Sequence, residues 1–264
     1  MKEPDADWLV RTNKRILVTS GGTKVSIDGV RHIDNMSAGT FGSAIATEVL
    51  KTFNHVIFFN RKDSKSPFQL KLNLAEPGNT TFELKKWVDM QELVITELSR
   101  KLTYWPYYHE ENFTDFSSYS DGLKKLIDLY KPDTIVLAAA VSDYDVKNYV
   151  SGKIRTAEDL KIELEPLPKI IGKIKGEWGY KGKVIGFKLL VNSTEEELIA
   201  ASLKSIRDNG CDVVIANDLR DIKNSNHTVL FVYPDGTHKK HMSSDSPDDK
   251  NYLANLVAME ALIK

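Results

Sequence analysis

A single cysteine in 264 residues, Cys211, leaves the chain without an internal disulfide, and no apolar segment of a secretory leader opens it. Both absences point to a reducing, cytoplasmic setting. Long hydrophobic runs are missing too. The longest, from Thr134 through Val141, falls far short of the ~20 residues that span a bilayer and reads as a buried strand. With 36 basic against 37 acidic residues, no excess charge calls for nucleic acid or an anionic membrane as partner. What remains is the composition of a globular protein whose length suits one α/β domain over 1–264.

Five short apolar segments read as core strands of a mostly parallel sheet: Arg15–Ser20, His55–Asn60, Thr134–Ala140, Lys183–Phe187 and Asp212–Ala216. Each is bounded by glycine, asparagine or aspartate. Helical patterns alternate with them. Ser193-Thr194-Glu195-Glu196 reads as a capping box for a helix that runs to Asn209 and stops at Gly210. Ser246-Pro247 reads as the start of a C-terminal helix reaching Leu262. Such alternation predicts a Rossmann-like, three-layer, doubly wound fold. A β-hairpin is expected over 227–241, around Pro234-Asp235-Gly236. Residues 61–122 exceed an ordinary crossover and read as an insertion, with a strand at Gln69–Leu74, a helix near Asp89–Leu102 and an aromatic cluster. The cluster (Tyr104, Trp105, Tyr107, Tyr108, Phe113, Phe116, Tyr119) suits either a satellite core or a flap and subunit contact.

The first strand ends in Ser20-Gly21-Gly22-Thr23, and a segment from Arg31 through Asn35, Ser37, Gly39 and Gly42 leads into an amphipathic helix. Glycines between a strand and a helix let backbone N–H groups approach phosphate, whose charge a helix N-terminus favours. Plain turn geometry explains them as well. A dinucleotide fingerprint is lacking, because G-x-G-x-x-G does not directly follow the strand. The second strand ends in Asn60-Arg61, without an acid for a ribose. Arg61 could meet a 2′-phosphate, and Tyr149 and Lys153 have short-chain-reductase spacing, so an NADP-dependent oxidoreductase is the alternative. That spacing needs a helix, which Val150 and Gly152 disfavour.

The third strand runs into Ala138-Ala139-Ala140-Val141-Ser142-Asp143-Tyr144, small residues at the edge where open α/β sheets bind ligands. Asp143 suits a loop cap or a ligand contact. Lys153 follows on a loop, where lysines are usually solvated. Further on come Pro168-Lys169-Ile170-Ile171, Gly186-Phe187-Lys188-Leu189 and Ala216-Asn217-Asp218.

Taken in order with Gly21-Gly22-Thr23, Val30-Arg31 and Asn35-x-Ser37-x-Gly39-x-x-Gly42, these motifs resemble the phosphopantothenate–cysteine ligases, in their stand-alone form. The resemblance implies that the chain couples 4′-phosphopantothenate to L-cysteine through an acyl-nucleotide, with CTP or ATP as co-substrate and Mg²⁺ beside it. It implies Asn35 and Lys153 as catalytic residues, Asn35 holding the acyl-nucleotide and Lys153 supplying charge from a mobile loop. Gly22, Ser37, Gly39, Gly42, Ala139, Asp143, Phe187, Asn217 and, less closely matched, Lys204 correspond to nucleotide-binding positions. Arg31, Asn35, Ala140 and Asp143 correspond to phosphopantothenate-binding positions. No base for the cysteine amine and no protein metal ligand is implied, and Cys211 reads as packing. The resemblance also implies a homodimer in which an inserted flap reaches the partner's site, a role open to 61–122. The nucleotide base stays open. So does a non-catalytic nucleotide-binding module.

Overall fold

The structure, a computed structural model, describes residues 13–68, 80–156, 160–223, 227–246, 249 and 251–263. Its elements run β1 (Arg15–Ser20), β2 (Lys24–Ser26), β3 (His32–Asp34), α1 (Thr40–Lys51), β4 (His55–Arg61), α2 (Thr81–Tyr104), β5 (Tyr108–Phe113), α3 (Phe116–Tyr130) and β6 (Thr134–Leu137). They continue with β7 (Tyr144–Val146), β8 (Leu164–Pro166), α4 (Ile170–Lys175), β9 (Lys183–Leu190), α5 (Glu195–Asn209), β10 (Val213–Asp218), α6 (Leu219–Lys223), β11 (Thr228–Val232), β12 (His238–Met242) and α7 (Tyr252–Leu262).

Eight strands form one sheet in the order β12-β11-β10-β9-β6-β1-β4-β5, in which β11 runs antiparallel to both its neighbours and every other neighbouring pair is parallel. Alternation along β1 sends Ile16 and Val18 to one face, against Ile45 and Val49 of α1 and Val257 of α7. Leu17 goes to the other face, with Leu123 of α3, Ile174 of α4 and Ile206 of α5. Helices therefore cover both faces, and each large side chain so buried contributes about 1.5–3 kcal/mol.

β4 lies on one side of β1 and β6 on the other. The direction of winding thus reverses between β1 and β6, and a crevice opens at their carboxyl ends. That reversal positions the site.

Several sequence expectations shift. The third strand ends at Leu137, and only an isolated bridge, Gly22 to Ala140, extends it. The capping box of α5 lies one residue later, Thr194 with Glu197, because Thr194 holds the extended backbone that a cap needs; Gly210, at φ 70°, stops the helix as expected. α7 begins at Tyr252, and Pro247 and Gln69–Leu74 lie outside the described residues. Within 61–122, α2 runs longer than read from sequence, and β5 adds a parallel edge strand beside β4 that the aromatic run concealed. Phe113 and Tyr119 of that run pack with Phe59 at ring centroid distances of 5.0 and 5.7 Å, so they serve the core.

Candidate active site

At the switch point the ends of β1 and β6 are stitched together. Ala140 N–H donates to the Gly21 carbonyl at 2.7 Å, Thr23 N–H to the Ala140 carbonyl at 3.2 Å, and Ser142 N–H to Thr23 Oγ1 at 2.8 Å. Asn35 enters from the segment after β3 and donates Nδ2 to the same Ala140 carbonyl at 3.0 Å. A Cβ on Gly22 would stand 2.9 Å from the Asn35 carbonyl oxygen, so only glycine lets Asn35 lie this close. The sequence-nominated Gly22, Asn35 and Ala140 therefore form one cluster.

Ser37 and Gly39 lead from it into α1. Gly39 takes the left-handed conformation (φ 72°) at the N-cap, where no side chain caps the helix, leaving first-turn N–H groups available to an anion. Ser20 Oγ donates to the Gly39 carbonyl at 3.0 Å, tying the helix start to β1. A Cβ on Gly42 would lie 2.5 Å from Ser20 Oγ and 2.7 Å from Ser20 Cβ. Gly42→Ala is therefore expected to push α1 off the strand end, lowering stability by about 1–3 kcal/mol, which urea melts measure.

Across the crevice, Ala139, Asp143 and Phe187 line a cleft of about 170 Å³ with Tyr119, Pro168, Lys169 and Ile171. Asp143 pairs with Lys169 at its mouth, and Ala139 N–H donates to Thr19 Oγ1 at 3.2 Å. Phe187 meets Phe41 of α1 edge-on at 6.0 Å. Asn217 faces a second cleft of about 440 Å³ with Thr40, Phe41 and His227, where its Nδ2 lies 3.5 Å from His227 Nε2. Burial pushes the His227 pKa down, with Asp221 opposing, so this imidazole is neutral at pH 7. At the end of β10, Asp218 receives the Ser193 N–H at 2.7 Å. That bond foremost, with donors from Arg220 and the Ser193 hydroxyl, holds its carboxyl at about 2 against the effect of burial.

Two nominated residues sit elsewhere or are otherwise engaged. Lys204 lies about 14 Å along α5 from its first residue and pairs with Asp208, so the structure does not bring it to the crevice. Arg31 pairs with Asp28 at 2.8 Å and donates to the Ile154 carbonyl at 2.7 Å within its own chain. Lys153 is exposed on the loop between β7 and β8 and forms no ion pair with any described residue. The reductase features fail geometrically: Tyr149 and Lys153 are not on a helix, and Arg61, 11% exposed, is taken by Asp34 and Asp63. Lys169, Phe41, His227 and Asp28 were not nominated. Lys169 stood inside a quoted motif, but its pairing with Asp143 joins positions far apart in the chain, and nothing around His227 set it apart.

A larger cleft, about 770 Å³, opens at the amino ends of β9 and β10, where Lys183 pairs with Glu260. The glycine turns and the helix N-terminus lie at the opposite end of the sheet. Chemistry rather than size locates this site.

Residues 11–96 and 111–261 match the family described as DNA/pantothenate metabolism flavoprotein C-terminal domain. The chain belongs to that family. It is 34% identical over 226 residues to the coenzyme A biosynthesis bifunctional protein CoaBC of Thermococcus kodakarensis, covering 86% of this chain and 46% of that protein. It is 28% identical over 268 residues to the phosphopantothenate–cysteine ligase CAB2 of Saccharomyces cerevisiae, covering 88% of this chain and 71% of the yeast protein. The chain thus spans about half of one relative's length and most of the other's. A solved structure of a Cab2 variant in complex with phosphopantothenate-cysteine superposes with a TM-score of 0.77 at 26% identity, over 98% of this chain and 88% of that one.

Proposed function

We propose that this chain couples 4′-phosphopantothenate to L-cysteine through an acyl-nucleotide intermediate, using CTP or ATP. The observation that carries this is the Gly22–Asn35–Ala140 cluster, set at the switch point beside the uncapped start of α1. The kinship with phosphopantothenate–cysteine ligases supports it.

A carboxylate reacts with an amine only once its oxygen can leave. In the proposed reaction a carboxylate oxygen of phosphopantothenate attacks the α-phosphorus of the nucleotide, and pyrophosphate departs. The cysteine amine then attacks the acyl carbon, loses its proton to solvent, and expels the nucleoside monophosphate. Neither step needs a protein nucleophile; both need positioning and neutralisation of charge. Cys211, buried with its thiol pushed up to about 11 by desolvation first, suits no such role. The α1 N-terminus with Ser37, Gly39 and Gly42 would hold phosphates. Asn35 would donate to the acyl phosphate, and Lys153 would approach the charge that develops. Asp143 and Ala140 would meet the pantothenate groups. Among the described residues no group of three or more His, Cys, Asp or Glu side chains forms a metal cage. Magnesium would instead ride on the triphosphate, as this hard cation commonly does.

Incubation with phosphopantothenate, cysteine, magnesium and either nucleotide tests the reading, followed as pyrophosphate release. Cysteine-dependent product supports it, and no turnover with either nucleotide overturns it.

No described helix is long and apolar enough to cross a membrane, and we place the proposed reaction in the cytoplasm. We also propose that the chain acts as a homodimer through α2. No residue of this helix is buried, and Leu84, Val88, Ile95, Leu98 and Leu102 form an exposed apolar stripe at steps of four, seven, three and four. That spacing suits a second helix laid alongside. Leu98→Glu is expected to convert the dimer to monomer with the fold retained, read by light scattering behind size exclusion; an unchanged dimer mass would place the contact elsewhere.

A further inference from the structure

One buried carboxylate ties the Lys153 loop to the turn between β2 and β3. Asp28, 3% exposed, accepts the Val30 and Arg31 N–H groups on Oδ1 at 2.8 and 2.7 Å. Those two bonds close the turn. Its Oδ2 does something a turn does not require: it accepts the Ile154 N–H at 3.1 Å and pairs with Arg31 Nη2 at 2.8 Å. The same Nη2 donates to the Ile154 carbonyl at 2.7 Å, so both backbone groups of Ile154 are held by this pair. On the other side of Lys153, Gly29 N–H donates to the Gly152 carbonyl at 3.2 Å, and Asp28 bridges Val150. Backbone on both flanks of Lys153 is thereby fixed while its ammonium remains without an ion pair among the described residues.

Burying a carboxylate is costly unless donors surround it. Burial here opposes the charge, yet the N–H groups of Val30, Arg31 and Ile154, helped by the Arg31 guanidinium, hold the carboxyl at about 2. The charged pair is thus present throughout the neutral range.

We propose that Asp28 is a positioning residue that, acting with Arg31, sets where Lys153 stands over the site. This rests on the ligase reading above. Ordering the loop before substrate arrives lowers the entropy that the transition state would otherwise lose.

Asp28→Asn separates the two jobs of this side chain. The amide oxygen still closes the turn, but its NH₂ cannot accept from Ile154 or pair with Arg31. The expected result is faster amide hydrogen exchange at Gly152–Ile154, and a lower melting temperature because Arg31 and the Ile154 N–H lose their buried acceptor. With these come a kcat of the folded enzyme lowered about tenfold and a nucleotide KM close to wild type. A merely structural role would also lower the melting temperature but leave the kcat of the folded fraction intact. Unchanged exchange at Ile154, or wild-type kcat in a variant whose parent is active, overturns the positioning role alone. Absence of cysteine-dependent turnover in the wild-type chain overturns the ligase reading and this role with it.

Discussion

Lys153→Ala is expected to lower the kcat of coupling by about 100- to 1000-fold, the scale seen when one preorganised electrostatic stabiliser is removed. The melting temperature should stay where it is. Lys153 is exposed and its ammonium pairs with no described residue, so its removal leaves no partner stranded. The cost falls instead on negative charge gathering on the phosphoryl and acyl oxygens. Steady-state kinetics check the first part, and a thermal melt checks the second. Near-wild-type turnover would show that this lysine does not meet the reacting centre. Lys153→Arg should recover only part of the rate, because a planar fork delivers its charge differently from a compact ammonium.

Asn35→Ala is expected to cost about 100-fold in kcat, again with little change in stability. The Ala140 carbonyl accepts from both Asn35 Nδ2 at 3.0 Å and the Thr23 N–H at 3.2 Å, so loss of Asn35 leaves that acceptor paired. The donor lost is the one that would serve the acyl phosphate. Asn35→Asp should be worse than alanine. It sets a carboxylate against the Ala140 carbonyl and beside the nucleotide's own negative charge. Comparing pyrophosphate release without cysteine with full coupling shows which half-reaction suffers; the donor role predicts loss already in the first. Full activity in Asn35→Ala would remove Asn35 from the chemistry.

Much of the layout could be read from the residues because burial on both faces leaves a plain mark. Runs such as Ile16–Val18 and Val56–Phe59 are apolar throughout, so the parallel core strands stood out with their starts within a residue. The carboxyl ends of the third and fourth strands were misplaced by three residues, where small and polar residues blur them. β5 did not, since Tyr108-His109-Glu110-Glu111-Asn112-Phe113 sits at the sheet edge, where one side is open and polar residues cost little. β2 and β3 were hidden too. Each is a three-residue strand held mainly by its partner, too short to carry a period. The glycine-rich cluster was legible because close approach leaves only glycine as a choice at Gly22 and Gly42. Asp28, His227 and the Lys169–Asp143 pair were not. What matters in each is a partner distant in sequence. Lys204 was nominated only by its loose likeness to a basic position of the family, and in the structure it pairs with Asp208 of its own helix.

The central claim is that this site activates a carboxylate by joining it to a nucleotide. Phosphopantothenate labelled with ¹⁸O in its carboxylate tests that most directly, with the nucleoside monophosphate isolated after coupling to cysteine. The account predicts one labelled oxygen in the monophosphate, carried over as the bridging atom when the amine displaces it. Turnover that leaves the monophosphate unlabelled would contradict it.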